Sequence, residues 1–582
     1  MMKRILLSFI AFFATITVIS SCTEKKPETA DIIVLYTTDT HGACLQYDFK
    51  KDKPAETSLA NVCSYVKQER EANSDKIILL DNGDFLQGQP SIYYYNFVDT
   101  ISDHICAQVF NYLGYDAIGV GNHDIEPGES VYGGRLQKML NMPWICANAI
   151  DTRTGNPLFQ PYAVIKRQGI KVVVLGMITP NIHAWLPKTL WPNLEFEDMV
   201  ECAKKWVPEI QEKENPDILI GLFHSGGDFT YGGQDENTPF NENGGIPAAM
   251  KVPGFDLVLL GHDHYSRDMD IVNVVGDTIK IMDAATQARF VGRADIHLEL
   301  TKDGTYKKSI TKNMIDSKQY APDPEFCKYF EPVINTVNEY VDAKIGTMTE
   351  DLEGIDGLYG PCKFMDLVHN AQLWATKADV SMATVLSPYD KIPAGQITMR
   401  HLFTIYKYEN QLFTLSMTGA DIKKYLEFGF SNQFATMKSV NDPLINRTED
   451  GKPVVPSFNY TSAAGIKYEV DITKPAGNRV NIISMSDGSA FDMDKEYKVA
   501  INSYQASGGG NFIPVGLGWN QETLEAHTID TTPIDVRRYV ASYIKEQGSI
   551  TPELRGDWKI IPTNLWEAGK ANEIANADRS HR

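Results

Sequence analysis

The chain has 582 residues, a formal charge of −20 at pH 7 and 43% apolar residues, which is material for two large domains or more, each able to bury its own core. Such a charge repels polyanions at long range, which excludes a general binder of duplex nucleic acid and leaves small anionic substrates drawn in by locally bound metal. Eight cysteines without a C-x-x-C pair exclude a disulfide scaffold, and those beyond Cys22 read as small buried side chains with room for one or two bridges.

Lys3 and Arg4 precede an uncharged stretch from Ile5 to Ile19, a leader pattern shorter than the roughly 20 apolar residues that span a bilayer. The stretch closes on Ile19-Ser20-Ser21-Cys22, which resembles a bacterial lipobox and implies cleavage before Cys22 and lipidation of its thiol. The alternative is an ordinary leader with an incidental cysteine. On the first reading residues 1–21 are the signal peptide and 22–30 a polar tether. The mature chain, at charge −22 without Lys3 and Arg4, is then an exported envelope lipoprotein, periplasmic or anchored at the outer membrane, that meets a membrane only through its lipid.

From residue 31 onward, short Val, Ile and Leu runs each stop abruptly at polar residues and glycine. They are Ile32–Tyr36 before Asp39, Ile77–Leu80 before Asp84, Ala117–Val120 before Asn122, Val172–Leu175, Ile218–Gly221 before His224, and Leu257–Leu260 before His262. Runs of this length bounded by turn signals predict strands buried on both faces. Leu59–Glu71 and Val200–Lys213 read as helices between them, giving an α/β layered core over 31–320. Near Pro322 the pattern changes. Phe326, Phe330, Val333, Ile334, Val337 and Val341 recur at helical spacing, so 321–345 is taken as a linker helix. A second domain over 346–562 mixes strands (Gln411–Met417, Gly465–Ile472, Tyr497–Ile501) with helices (Phe364–Thr376, Thr418–Gly429), and the polar tail 563–582 is expected to fray.

Asp39-x-His41, Gly83-Asp84, Gly121-Asn122-His123-Asp124, His224 and Gly261-His262-Asp263-His264 all fall at predicted strand ends, where open α/β sheets place ligands. Imidazoles and carboxylates suit Zn²⁺, Mn²⁺ or related ions. In an extended segment, D-x-H and H-x-H point both side chains the same way, so each segment supplies two ligands to one site. Five of the 12 histidines lie in these loops, a concentration that packing does not explain.

These motifs resemble the calcineurin-like metallophosphoesterases, and more narrowly the bacterial family of 5'-nucleotidases and 2',3'-cyclic-nucleotide 2'-phosphodiesterase/3'-nucleotidases. The resemblance implies an α/β fold (α+β overall), in which a layered β-sandwich flanked by helices precedes a second, mixed α/β nucleotide-recognition domain. It implies two divalent metal ions of the Zn, Mn or Co type, one held by Asp39, His41 and His264 and the other by Asn122, His224 and His262, with Asp84 bridging them. It further implies in-line attack of water on phosphorus while the ions neutralise the transferring group. His123 would hydrogen-bond the phosphoryl oxygens or protonate the leaving oxygen. Where the 5'-nucleotidase branch usually has an aspartate orienting that histidine, this chain has Glu126, and Asp124 is the other candidate.

The expected partners are small nucleotides. Tyr406–Asn410 and Asn502–Phe512 match the family's substrate segments, which puts Tyr408, Asn410, Tyr504, Gly508, Gly509 and Gly510 at the nucleotide, with Tyr408 and Tyr504 sandwiching the base. In the 5'-nucleotidase branch the glycine run usually carries an aspartate for the ribose, and an upstream segment carries an arginine. Here Gly510 replaces the acid and Thr384–Tyr389 has no arginine. The resemblance therefore leans to 2',3'-cyclic-nucleotide phosphodiesterase/3'-nucleotidase activity yielding nucleosides and phosphate. The alternatives are a 5'-nucleotidase and a nucleotide-binding lipoprotein without catalysis.

Overall fold

The computed structural model describes residues 26–449 and 451–580, so the signal peptide, Cys22 and the first part of the tether lie outside the described residues. Among the described residues no helix is long and apolar enough to cross a membrane. Seven cysteines are free and all but Cys327 are buried, so among the described residues there is no bridge.

All six apolar runs form strands. Thr29–Thr37, Ile77–Asp81, Ala117–Gly119 and Trp144–Ile145 lie parallel in one six-stranded sheet, extended by the antiparallel pair Phe290–Leu300 and Tyr306–Asp316. Ile170–Ile178, Ile218–His224, Leu257–Leu260 and Thr278–Ala284 lie parallel in a second. Side chains alternate across each strand: Ile32, Val34 and Tyr36 enter the core between the sheets, whereas Ile33 and Leu35 enter the core beneath the outer helices. Helix Leu59–Asn73 covers the first sheet, and helices Met199–Glu214 and Gly245–Lys251 cover the second. Pro208 sits inside Met199–Glu214, and an interior proline costs a helix about 3 kcal/mol. Burial of Met199, Trp206, Val207 and Ile210, at about 1.5–3 kcal/mol for each large apolar side chain, outweighs it.

The predicted linker is helix Pro324–Val341, capped by Asp323, whose carboxylate accepts the Phe326 N–H at 2.8 Å. It is no free bridge: Phe326, Phe330, Ile334, Val337 and Val341 pack into the core of the first half. Beyond it, Thr461–Ala464, Val380–Thr384, Glu496–Asn502, Gln411–Thr418 and Thr528–Asp535 form a five-stranded sheet that packs with helices Lys363–Thr376 and Gly419–Gln433 around one core. The tail differs from expectation. Thr563–Ser580 is a helix, held by Trp566 Nε1 donating to the Tyr359 carbonyl at 2.7 Å and by buried Glu573 paired with Arg447 at 2.6 Å.

The halves meet at a buried guanidinium. Arg537 lies over the rings of Phe403 and Tyr93 at 4.2 and 4.9 Å, while Tyr93 of the first half donates to Asp535 of the second at 2.7 Å.

Candidate metal centre

Parallel strands deliver their polar ends to one edge, and there the loops turn tightly. Asp39, His41, Asp84, His262 and His264 all have positive φ, between 44° and 79°, which costs a non-glycine residue roughly 1–2 kcal/mol. The D-x-H and H-x-H pairs therefore converge through left-handed turns, not through the extended alternation that their spacing suggests. Neighbouring loops hold this geometry: Asp39 N–H donates to the Gly83 carbonyl at 2.9 Å and His41 N–H to that of Asp84 at 3.0 Å. Gly121 is required here, since a Cβ would lie 2.1 Å from Asp84 Oδ1.

Asp39, His41 and His264 present donor atoms to one point, and Asp39, Asp84 and His224 to another. The Nε2 atoms of His41 and His264 face each other at 2.9 Å. Asn122 Oδ1 lies 3.2 Å from His224 Nε2 and 2.8 Å from His262 Nδ1. His224 donates from Nδ1 to the Asn82 carbonyl at 2.7 Å, which turns Nε2 toward the centre. Buried Asp84 Oδ2 has no hydrogen-bond partner and lies 3.2 Å from His224 Nε2 and 3.9 Å from His41 Nε2. An orphaned carboxylate oxygen, a second buried carboxylate at Asp39 and converging imidazole nitrogens fit divalent cations. Burial alone would raise the Asp84 carboxyl, yet His224, His123 and His41 hold it well below its usual range. Burial likewise opposes charge on His224, but Asp84 and Asp39 push it up to about 10.

Beside this centre stands His123. Its Nδ1 meets Glu126 Oε2 at 2.6 Å. Of the two carboxylates that the sequence offers, Glu126 makes the contact. Asp124 instead accepts the backbone N–H groups of Asp84, Phe85, Leu86 and Gly121 at 2.8–3.0 Å, so its oxygens are spent bracing the Asp84 loop and do not reach His123.

A calcineurin-like phosphoesterase model matches residues 32–266 and a 5'-nucleotidase C-terminal domain model matches 344–515. The chain is a calcineurin-like phosphoesterase with a 5'-nucleotidase C-terminal domain. It is 26% identical to the trifunctional nucleotide phosphoesterase protein YfkN of Bacillus subtilis over 96% of this chain, and spans 41% of that protein's length. It is 24% identical to a 2',3'-cyclic-nucleotide 2'-phosphodiesterase/3'-nucleotidase of Yersinia enterocolitica, covering 92% of this chain and 89% of the relative. Among solved structures, a 5'-nucleotidase precursor of Thermus thermophilus shares the fold with a TM-score of 0.60 at 20% identity, over 92% of this chain and all of that one. The calcineurin-like phosphoesterase fold is that of metal-dependent phosphoester hydrolases and implies divalent metal ions, which the donor set fits.

In the second half of this phosphoesterase, Tyr408 comes within electrostatic reach of Glu126 beside the centre, and Tyr504 within that of Tyr408. Burial raises the Tyr408 phenol, with Glu126 close enough to add to the effect. Burial pushes Tyr504 up to about 12, against a hydrogen bond from Asn459, while Tyr231 and Tyr408 add. Gly509 lies against this ring, where a Cβ would sit 2.5 Å from Tyr504, and a Cβ on Gly510, at φ 67°, would sit 2.6 Å from Asn459 Oδ1. Gly508, at φ 114°, approaches Ala184 of the first half. Asn410 is turned inward, its side-chain amide reaching Tyr406 Oη at 3.4 Å and its backbone carbonyl accepting Val536 N–H at 2.8 Å, so it braces the loop that carries Tyr408.

Four contacts to the centre come from residues that the sequence motifs did not single out. Asn82 holds His224, and Gln87 Oε1 lies 3.2 Å from His41 Nδ1. Glu242 Oε1 lies 3.1 Å from His262 Nε2, and the Trp185 ring stands 5.3 Å from the His262 ring. Asn82 adjoins the Gly83-Asp84 motif and was findable by proximity; Glu242 and Trp185 come from loops without any ligand spacing.

Proposed function

We propose that this phosphoesterase is a two-metal hydrolase of nucleotide phosphoesters, acting on 2',3'-cyclic nucleotides and 3'-nucleotides to yield nucleosides and phosphate. Asp39, His41 and His264 would hold one ion, Asn122, His224 and His262 the other, with Asp84 shared. Bound divalent ions lower the pKa of water and neutralise charge on a transferring phosphoryl group. His123, held by Glu126 at 2.6 Å, offers Nε2 to a phosphoryl or leaving oxygen. Tyr408 and Tyr504 stack on the base, a contact that tolerates base identity.

The observation that carries the choice of substrate is Gly510. At φ 67° and with Asn459 Oδ1 where a Cβ would go, the position is built for glycine and supplies no acid to a ribose. The relative from Yersinia enterocolitica supports the same reading by its name. A binder without catalysis is the weaker reading, since all seven donors are present. The deciding assay compares 2',3'-cyclic AMP, 3'-AMP and 5'-AMP under Mn²⁺: fast turnover of the first two supports the proposal, and turnover of 5'-AMP alone refutes it. Envelope anchoring through Cys22 is a separate proposal, tested by C22S, which should release the protein from the membrane fraction.

A further inference from the structure

His262 is gripped from several sides. Its Nδ1 lies 2.8 Å from Asn122 Oδ1 and faces the centre, its Nε2 lies 3.1 Å from Glu242 Oε1 on the opposite side, and the indole of Trp185 covers its face at 33°. His224 presents the other nitrogen, because its Nδ1 is taken by the Asn82 carbonyl. Two imidazoles thus approach one point through different nitrogens, and each needs its own partner to fix which nitrogen carries hydrogen.

Glu242 sits in a loop whose backbone is pinned on both sides of it. Asn241 and Asn243 are each only 3% exposed. Asn241 Nδ2 donates to the carbonyls of Phe229 and Asp235 at 2.9 Å, while Asn243 Nδ2 donates to Asp228 at 2.7 Å and its Oδ1 accepts Gly226 N–H at 2.9 Å. Asn243 N–H closes the turn onto Asn241 Oδ1 at 2.8 Å. Two buried amides therefore fix the backbone from which Glu242 reaches His262, in a loop that otherwise carries only a short 3-10 turn at Tyr231–Gly233.

We infer that Glu242 is a positioning residue of the metal centre, whose carboxylate holds hydrogen on His262 Nε2 and so aims the Nδ1 lone pair at the ion shared with Asn122 and His224. This rests on the two-ion reading above. The test titrates the full chain, stripped by chelator, with Mn²⁺ by calorimetry, and compares wild type with E242A, E242Q and H262A. E242A should weaken one of two sites by roughly 10- to 100-fold, with the other site and the melting temperature of the stripped protein unchanged. E242Q, whose amide oxygen still accepts from Nε2, should recover most of that loss. Wild-type affinity at both sites in E242A, with one site lost in H262A, overturns the role of Glu242. Equal weakening by E242A and E242Q also overturns it, because charge and not orientation would then be at work. Two intact sites in H262A overturn the assignment of His262 as a ligand, and fewer than two sites in the wild type overturn the two-ion reading itself.

Discussion

His224 and His369 are both wholly buried, at 0% and 1% exposure, one at the floor of the metal centre and the other in the core of the second half. His224 stands beside Asp84 and Asp39, which overcome burial and push it up to about 10. His369 lies between the hydroxyls of Ser381 and Ser462, at 2.9 and 3.0 Å, and burial pushes it down to about 3. Burial is common to both, so the neighbours decide: carboxylates make a site that holds cations, and hydroxyls make a neutral cross-link between a helix and two strands. Each prediction below changes one side of that contrast and asks whether the other stays put.

The largest effect is expected at Asp84. D84N keeps the shape and removes the charge that the proposed two-ion site shares between its ligand sets, and because bound ions supply several kcal/mol of transition-state stabilisation, turnover should fall at least ~1,000-fold. Bound metal, measured by elemental analysis, should fall with it. H369Q should leave both within about twofold, as expected of a surface or core change remote from the chemistry. Loss of metal in H369Q would break the contrast.

H123A comes next. A positioned acid or base contributes roughly 100- to 10,000-fold, so turnover should drop by that range with metal content unchanged. E126Q, which keeps a hydrogen bond to Nδ1 and loses its charge assistance, should cost less, about tenfold. Full turnover in H123A rules out its role.

The contrast also shows what a sequence discloses. His224 ends an apolar run, and D-x-H, G-N-H-D and H-D-H follow others, so local pattern marked the strands and the donors together. His369 lies within helix Lys363–Thr376, away from every strand-end motif. Hidden from the pattern were features fixed by distant contacts: the left-handed turns at Asp39 and His262, the choice of Glu126 over Asp124, and the grip of Glu242. The tail helix belongs with them. Its polar residues give no apolar stripe, and it is held by Trp566 and Glu573 reaching Tyr359 and Arg447, two pairings that no spacing encodes.

A smaller effect is expected at the base platform. Stacking is worth about 1–3 kcal/mol per base, so Y408A and Y504A should each raise KM for a nucleotide roughly 5- to 150-fold. Hydrolysis of p-nitrophenyl phosphate, which has no base, should be unchanged. Equal losses on both substrates would place these tyrosines in the metal centre and not in recognition.

The smallest effect isolates His369 itself. Unfolded, its imidazole has an ordinary value near 6.5; folded, it is held near 3. Between those values the unfolded chain takes up a proton that the folded chain refuses, so stability is full above about pH 6.5 and is lost as pH falls. From pH 7 to pH 5 this one group should cost about 2 kcal/mol. H369Q removes hydrogen bonds at every pH and will be less stable throughout, so the informative quantity is the slope. Urea midpoints at the two pH values should shift less in H369Q than in wild type, by the equivalent of that energy. Groups common to both proteins cancel in the comparison of variant with wild type. Parallel midpoints for the two proteins would mean that His369 is charged in the fold, and the division between a cation-holding histidine and a neutral structural one would fall.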